Sequence, residues 1–439
     1  SQVHGDVFEQ SPAQWAALMQ QGLHAAFEAG IQPDAIAAAG PLAGYVPLDA
    51  QGAPLAPAVM YSDRRSATDV AHMEAVLGAD CPARLLVSDP LAHWLRLRRE
   101  SPDIAARTAH FLDATGWINQ VLTGCATLNP YTAMRLYTPA LRARVGADDA
   151  PFGQPVAIGA TLGTVQAAYG ARWGWSGVPV IAATFDSKCA YLGSGIAQAG
   201  EATDISGTVT SFGVVSDQCI DDPQQRIYSV PFGKRWLVRG STACAGSALE
   251  WVRAQLLQQD FDALDAAAAS SPPGANGLTF LPYLAGERAP LWDPHARGAL
   301  LGLSLATTQA DIARAVYEGL ALSLAHIVQT MRERGVVLRE VRLAGGLARN
   351  PLLSQIKADL LGVPLLTLAD HELTTLGLAV IASVALGQHA DHAQASAAFV
   401  ALQRRITPDA ASQQAYAPVL ARYIACAQAL QPTFAPQRT

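Results

Sequence analysis

The stretch Val178-Pro179-Val180-Ile181-Ala182-Ala183-Thr184-Phe185-Asp186-Ser187-Lys188-Cys189-Ala190-Tyr191-Leu192-Gly193-Ser194-Gly195 decides how this chain is read. Its apolar run, Val178 to Ala183, reads as a buried strand that delivers an acidic residue, Asp186. A second segment, Asp204-Ile205-Ser206-Gly207-Thr208, ends in a Gly-Thr turn whose backbone N–H groups can hold an anion. Farther on, Ala344-Gly345-Gly346-Leu347-Ala348-Arg349-Asn350 places a glycine turn at the mouth of a helix. A carboxylate that can serve as a base and two turns suited to phosphate define the chemistry to be explained.

A chain of 439 residues exceeds one ordinary core and calls for two or three domains. Apolar residues make up 50% and charged residues 15%, so a well-buried globular protein is expected rather than a disordered one. The net charge is -6 and no long basic run occurs, which argues against a nucleic-acid ligand. The six cysteines (Cys81, Cys125, Cys189, Cys219, Cys244 and Cys426) are scattered without a CxxC pair, the usage of a reduced cytoplasmic protein rather than a disulfide scaffold or zinc site. Leu376 to Leu386 is too short for a membrane span. The polar start, Ser1-Gln2-Val3-His4-Gly5-Asp6, lacks a signal peptide's apolar run.

Residues Ser11 to Ala29 form a helical pattern, with Ser11 as cap, Pro12 in the first turn and a stripe of Trp15, Leu18, Met19 and Leu23. Ala35–Ala39, Tyr45–Leu48 and Ala58–Tyr61 read as strands, with a turn at Asp49-Ala50-Gln51-Gly52. Helices are expected from Asp63 to about Leu77 and near Leu91–Arg99, Asp103–Ala109 and Asp113–Leu122. A first domain, 1–177, ends near Gly174-Trp175-Ser176-Gly177. The second, 178–439, opens with β segments at Val178–Ala183, Thr203–Ser206, Ser211–Val215 and Arg235–Arg239, followed by a helix from Gly246 to Leu257. Thr308 and Asp311 form a capping box for a long helix to Arg334. Strands at Leu338–Leu343 and Pro364–Leu368 alternate with helices at Asn350–Leu361 and Thr374–Leu386, the order of a mixed α/β domain.

With these segments in order, the chain resembles the FGGY family of carbohydrate kinases. Val178 to Gly195 is similar to the family's "VPVVAGTFDxxxAxxGxG", and Gly286-Glu287-Arg288-Ala289-Pro290-Leu291-Trp292-Asp293-Pro294, completed by Ala296-Arg297-Gly298, to its "GERxPxWDPxARG". Arg314-Ala315-Val316-Tyr317-Glu318-Gly319, the Gly345-Gly346 turn and Glu372-Leu373-Thr374-Thr375-Leu376-Gly377 extend the match, which runs from about Glu9 past Leu386. The resemblance implies a two-domain actin-like fold. Each lobe would be built on a ribonuclease-H-like mixed sheet, with sugar and ATP meeting between the lobes. It implies ATP-dependent phosphorylation of a small sugar or polyol, a ketose such as a pentulose, with Mg²⁺. It implies no nucleic-acid or membrane partner and leaves a homodimer open.

By that resemblance Asp186 is the general base, against a reading as a strand-end cap or buried ion pair. Gly207 and Thr208 match the second phosphate-binding turn, with Val209 where many members have Ser, and Asp204 caps that turn. Phe212 packs beside the substrate or in the core. Gly246 is the close-approach point to the nucleotide, and Glu250 either reaches a nucleotide hydroxyl or is solvated. Gly345, Gly346 and Asn350 contact adenine or phosphate, or form a plain strand-to-helix turn with Asn350 as its cap. Glu287 and Arg288 are expected in structural ion pairs. On the sugar side, Ala39-Gly40-Pro41-Leu42-Ala43-Gly44 resembles the substrate loop, which in xylulose kinases reads "SGQMHG". Pro41 and Ala43 stand where Gln and His would be, so Leu42 and Ala43 line a less polar pocket, with Tyr61 as its aromatic. Asp63 and Arg65 pair with each other or touch substrate.

Family members begin with a strand and turn of the form "DxGTxxxR". This chain enters the pattern at Glu9-Gln10-Ser11-Pro12, similar to "EQDPxxW". Roughly thirty residues, enough for two or three strands, are therefore expected to be missing. That departure supports a rival expectation: a catalytically impaired or regulatory protein that keeps the kinase fold and its sugar or nucleotide binding.

Overall fold

The computed structural model describes residues 2–4, 6–81, 85–370 and 372–434, so Ser1 and Gly5 of the polar start lie outside it. The chain forms two compact units: Ser1–Gly193 with Glu372–Ala395, and Ser194–His371 with Ser396–Thr439. The division therefore falls after Gly193 rather than after 177, and a later segment returns to the first unit. Hydrogen bonding and packing explain both departures. The strand Pro179–Ile181 pairs in parallel with Ile36–Ala37 and antiparallel with Thr161–Thr164. The helix Asp186–Gly193 packs on Leu373–Ala385 at backbone contact, because Cβ atoms at Gly193 and Gly377 would meet the carbonyl oxygens of Leu373 and Cys189 at 1.8 and 1.9 Å.

In the first unit a five-stranded sheet runs in the order Gln2–His4, Val7–Gln10, Ala58–Val59, Tyr45–Leu48, His110–Asp113, with every pairing antiparallel. The strands at Gln2–His4, Val7–Gln10 and His110–Asp113 were not expected from the sequence. The first two are short and carry no clear alternation. The expected helix at the start of the unit is present as Pro12–Glu28, with Ser11 accepting from the Gln14 N–H. The helix expected from Asp63 begins only at Ala67, because Asp63 is drawn back into hydrogen bonds with Phe8 and Arg65. Tyr45, Leu91, Trp94, Phe111 and Leu128 centre the apolar core.

The second unit is built on a seven-stranded mixed sheet, ordered Tyr228–Phe232, Arg235–Ser241, Thr210–Ser216, Glu201–Ser206, Glu340–Ala344, Leu365–Leu368, Leu402–Ile406. Glu201–Ser206, Glu340–Ala344 and Leu365–Leu368 run parallel, and their flanking strands antiparallel. The long helix Gln309–Glu333 covers the sheet with Leu324, Ile327 and Val328, and the Thr308–Asp311 capping box starts it as the sequence predicts. The helix expected over 246–257 is α-helical to Trp251 and a π-helix from Val252 to Leu257. The six cysteines are free thiols. Among the described residues no helix is long and apolar enough to cross a membrane.

Candidate active site

In the first unit the buried strand Pro179–Ile181 ends four residues before Phe185, which is 1% exposed and meets Tyr131 edge to face at 5.2 Å. That anchor fixes the start of the helix Asp186–Gly193, whose first residue, Asp186, is exposed. Its Oδ1 accepts the Ser187 N–H at 2.6 Å, and the helix N-terminus favours negative charge there. The Asp186 N–H donates to the Gly40 carbonyl at 3.0 Å. Gly40 is tied down in turn, its N–H donating to Thr115 Oγ1 at 3.1 Å. A Cβ at Gly40 would lie 2.6 Å from the Ala114 Cβ, so only glycine fits against the helix Ala114–Thr123. Gly40 of the expected substrate loop and the expected base are thus joined across 146 positions of sequence (186 less 40).

The rest of the loop turns inward. Ala43 is 4% exposed, in left-handed backbone at φ 53°, and Leu42 packs on the same apolar core. Tyr61 stands 53% exposed. Arg65 bridges Asp63 and Glu9, with Nη2 at 2.6 Å from an oxygen of each, and Asp63 also accepts the Phe8 N–H at 2.9 Å. Asp63 and Arg65 therefore serve the packing of the first strands.

In the second unit three expected turns come together at the end of the strand Glu201–Ser206. The Gly246 N–H donates to the Gly207 carbonyl at 2.8 Å, and the N–H groups of Ala245 and Ser247 both donate to the Thr208 carbonyl, at 2.9 and 3.2 Å. A Cβ at Gly246 would sit 2.7 Å from that Gly207 oxygen. Gly345, at φ 81°, presses its α-carbon against the Ser206 carbonyl, where a Cβ would come within 2.4 Å. Gly207 and Gly346 differ from these two: nothing stands within 4 Å of where their Cβ atoms would be. Two glycines let the turns touch, and two face open space.

Asn350 caps the helix Pro351–Leu361, its Oδ1 accepting the Leu353 N–H at 2.8 Å while Nδ2 donates to both oxygens of Asp265. Tyr317 donates to the same carboxylate. Glu250 is exposed and paired with Arg253 at 2.5 Å. Phe212 is 0% exposed within the apolar core, the second of the two positions the sequence allows it. Asp204, expected to cap its turn, is instead buried against Lys357 at 2.6 Å and accepts the Ser206 hydroxyl. Glu287 is not in an ion pair with Arg288. It accepts the N–H groups of Ala243 and Arg288, both at 2.7 Å, and the Ser323 hydroxyl, and burial pushes its carboxyl up to about 7.

Sequence reasoning missed Thr115, Tyr131, Asp265 and Lys357. Tyr131 and Lys357 carry no motif. A lysine at a position that faces the sheet within an apolar helix pattern was the one available signal for Lys357.

A model of the FGGY family of carbohydrate kinases, C-terminal domain, matches residues 203–386. A xylulose kinase from Staphylococcus epidermidis is 28% identical over 406 residues, covering 88% of this chain and 81% of the relative. A glycerol kinase from Bordetella parapertussis is 32% identical over 375 residues, covering 77% of this chain and 72% of the relative. Among solved structures, a xylulose kinase from Rhodospirillum rubrum superposes with a TM-score of 0.89 at 28% identity, over 99% of this chain and 93% of that one. The fold, the family match and the extent of the glycerol kinase similarity lead to one assignment: the chain belongs to the FGGY family of carbohydrate kinases, phosphotransferases with an alcohol group as acceptor.

Proposed function

We propose that this chain transfers the γ-phosphoryl group of ATP to a hydroxyl of a small ketose or polyol, a pentulose being the first candidate. The hydrogen bond from the Asp186 N–H to the Gly40 carbonyl carries the reading, because it seats a carboxylate beside the expected substrate loop. The xylulose and glycerol kinases among its relatives support a small polyhydroxylated acceptor.

In this reading Asp186 orients the acceptor hydroxyl and takes its proton as the new O–P bond forms. The bond between the γ-phosphorus and the bridging oxygen breaks, and ADP leaves with that electron pair. Gly207, Thr208, Gly246, Gly345 and Gly346 line the nucleotide; the N–H groups of Gly207 and Gly246 are taken by the Val209 and Gly207 carbonyls, so these two glycines act by close approach while Thr208 donates from its hydroxyl and backbone, with Asn350 and Glu250 at the adenosine end. Among the described residues no three His, Cys, Asp or Glu side chains form a metal cage. Magnesium carried with a nucleotide needs only one or two carboxylates, since water and the phosphates themselves would supply most of its ligands. When bound, the metal neutralises charge on the phosphate oxygens. The exposed Tyr61 is placed on the acceptor side, while Leu42 and Ala43 support the loop from the apolar core.

A second reading, binding without turnover, draws on the loop itself, where Pro41 and the buried Ala43 offer no side-chain donor to a sugar. ATP-to-ADP turnover with Mg²⁺ against a panel of sugars and polyols separates the two, with Asp186→Asn as control. A kinase shows acceptor-dependent turnover that the substitution lowers by about 10² to 10⁴-fold. Binding of ADP or sugar with no turnover on any acceptor favours the second reading.

A further inference from the structure

We infer that Lys357 and Asp204 are positioning residues for the nucleotide, holding three separate turns in register from beneath through a buried polar chain. The inference rests on the reading that those turns bind the nucleotide. Lys357 is 4% exposed, on the helix that Asn350 caps. Its Nζ donates to Asp204 Oδ2 at 2.6 Å and to Ser206 Oγ at 3.0 Å. Ser206 Oγ donates to Asp204 Oδ1 at 2.5 Å and lies 2.8 Å from Thr210 Oγ1. The Thr210 N–H donates to Thr242 Oγ1 at 3.1 Å, and the Thr242 hydroxyl donates to the Cys244 carbonyl at 2.9 Å.

This chain touches each turn. Ser206 immediately precedes Gly207, and its carbonyl is the surface on which Gly345 rests. Cys244 lies two residues before Gly246. Asp204, Ser206, Thr210 and Thr242 are each at most 3% exposed, so water does not compete for these bonds. A buried ammonium–carboxylate pair is often no more stabilising than apolar residues of the same size, so stability alone does not call for one here. What the pair adds is direction. It draws the helix of Asn350 toward the strand end that carries Gly207, fixing the distance between the two ends of a bound nucleotide.

The test measures ADP affinity by calorimetry and the melting temperature for wild type, Lys357→Met, Asp204→Asn, the double variant and Gly207→Ala. Lys357→Met is expected to weaken ADP about tenfold and to lower the melting temperature, since it strands a buried carboxylate. The double variant removes both charges and is expected to recover the melting temperature but not the affinity. If the double variant recovers both, the pair is merely structural and the inference is overturned. It is equally overturned if Gly207→Ala weakens ADP while neither charge variant nor the double does. If Gly207→Ala leaves ADP affinity unchanged, the nucleotide reading of the turns fails first and the inference falls with it. Should Lys357→Met fail to fold, the double variant alone decides.

Discussion

Alanine at Gly207 or Gly346 is expected to leave the fold alone and to weaken nucleotide binding. The structure supplies an internal contrast. At both positions the space for a Cβ is open to 4 Å, so the methyl group meets no protein atom. Neither glycine is in the left-handed region, so the folded state should change by no more than about 0.5 kcal/mol. At Gly246 and Gly345 the Cβ would approach backbone carbonyl oxygens at 2.7 and 2.4 Å, and Gly345 carries a φ of 81° besides. Overpacking costs about 1–3 kcal/mol, and the Gly345 backbone at φ 81° and ψ 176°, a region essentially reserved for glycine, adds roughly 1–3. At about 2–4 °C per kcal/mol for a unit of this size, the melting temperature should fall by several degrees for Gly246→Ala and further for Gly345→Ala. A methyl group that keeps phosphate from one N–H forfeits a charge-assisted hydrogen bond, about 1.5–3 kcal/mol, or roughly tenfold to a hundredfold in ADP affinity. Thermal denaturation with and without ADP, together with calorimetry, reads both quantities. If Gly207→Ala melts as low as Gly246→Ala, or binds ADP as tightly as wild type, the open faces are not where phosphate sits.

Gly40→Val should drive the Gly40 carbonyl away from the Asp186 N–H, because the Ala114 Cβ occupies its side-chain space at 2.6 Å; steady-state kinetics should show kcat down about tenfold or more with ADP affinity within twofold of wild type. Burial raises the Glu287 carboxyl to about 7, so the folded state holds a proton that the unfolded chain releases near 4.5. Stability from this group is therefore full below pH 4.5 and is lost as pH rises through 7. Glu287→Gln should flatten that fall, by up to about 3 kcal/mol in urea titrations compared across the window. Burial holds His93 down to about 3 and His326 to about 4, so both favour folding above pH 6.5 and lose that contribution as pH falls toward 4. Replacing His93 with Phe should shrink the acid-side loss. Asn350→Ala removes a helix cap and one of the two donors to Asp265, and denaturation should record a loss of about 1–2 kcal/mol.

Local chemistry made much of this legible. The capping box at Thr308 and Asp311, the Asn350 cap and the Pro12 start announce their helices because each satisfies backbone groups within a few residues. The strands Tyr45–Leu48 and Leu365–Leu368 are buried throughout and show as short apolar runs. What stayed hidden depends on partners distant in sequence. The edge strand Leu402–Ile406 is mostly exposed, and its Gln403, Arg404 and Arg405 do not look like a strand until Leu365–Leu368 pairs with it. The sequence pointed to Asp186, Gly207, Gly246 and Gly345 singly, through motif likeness. It could not show that Gly246 and Gly345 pack on the Gly207 strand end, or that Lys357 reaches Asp204 across 153 positions. The domain limit failed for the same reason, since only the packing of Leu373–Ala385 reveals where the first unit is completed.

That late completion has a consequence during synthesis. The ribosome makes the helix Asp186–Gly193 long before the segment Leu373–Ala385 that packs on it. Between the two come the 178 residues Ser194–His371 of the other unit (371 less 193). The nascent first unit therefore waits, with the backbone surface of Gly193 unmatched, until Gly377 has emerged. A chain stopped at Gly193 would carry the helix Asp186–Gly193 without its partner Leu373–Ala385, and should be captured by chaperones or degraded rather than accumulate as a stable half.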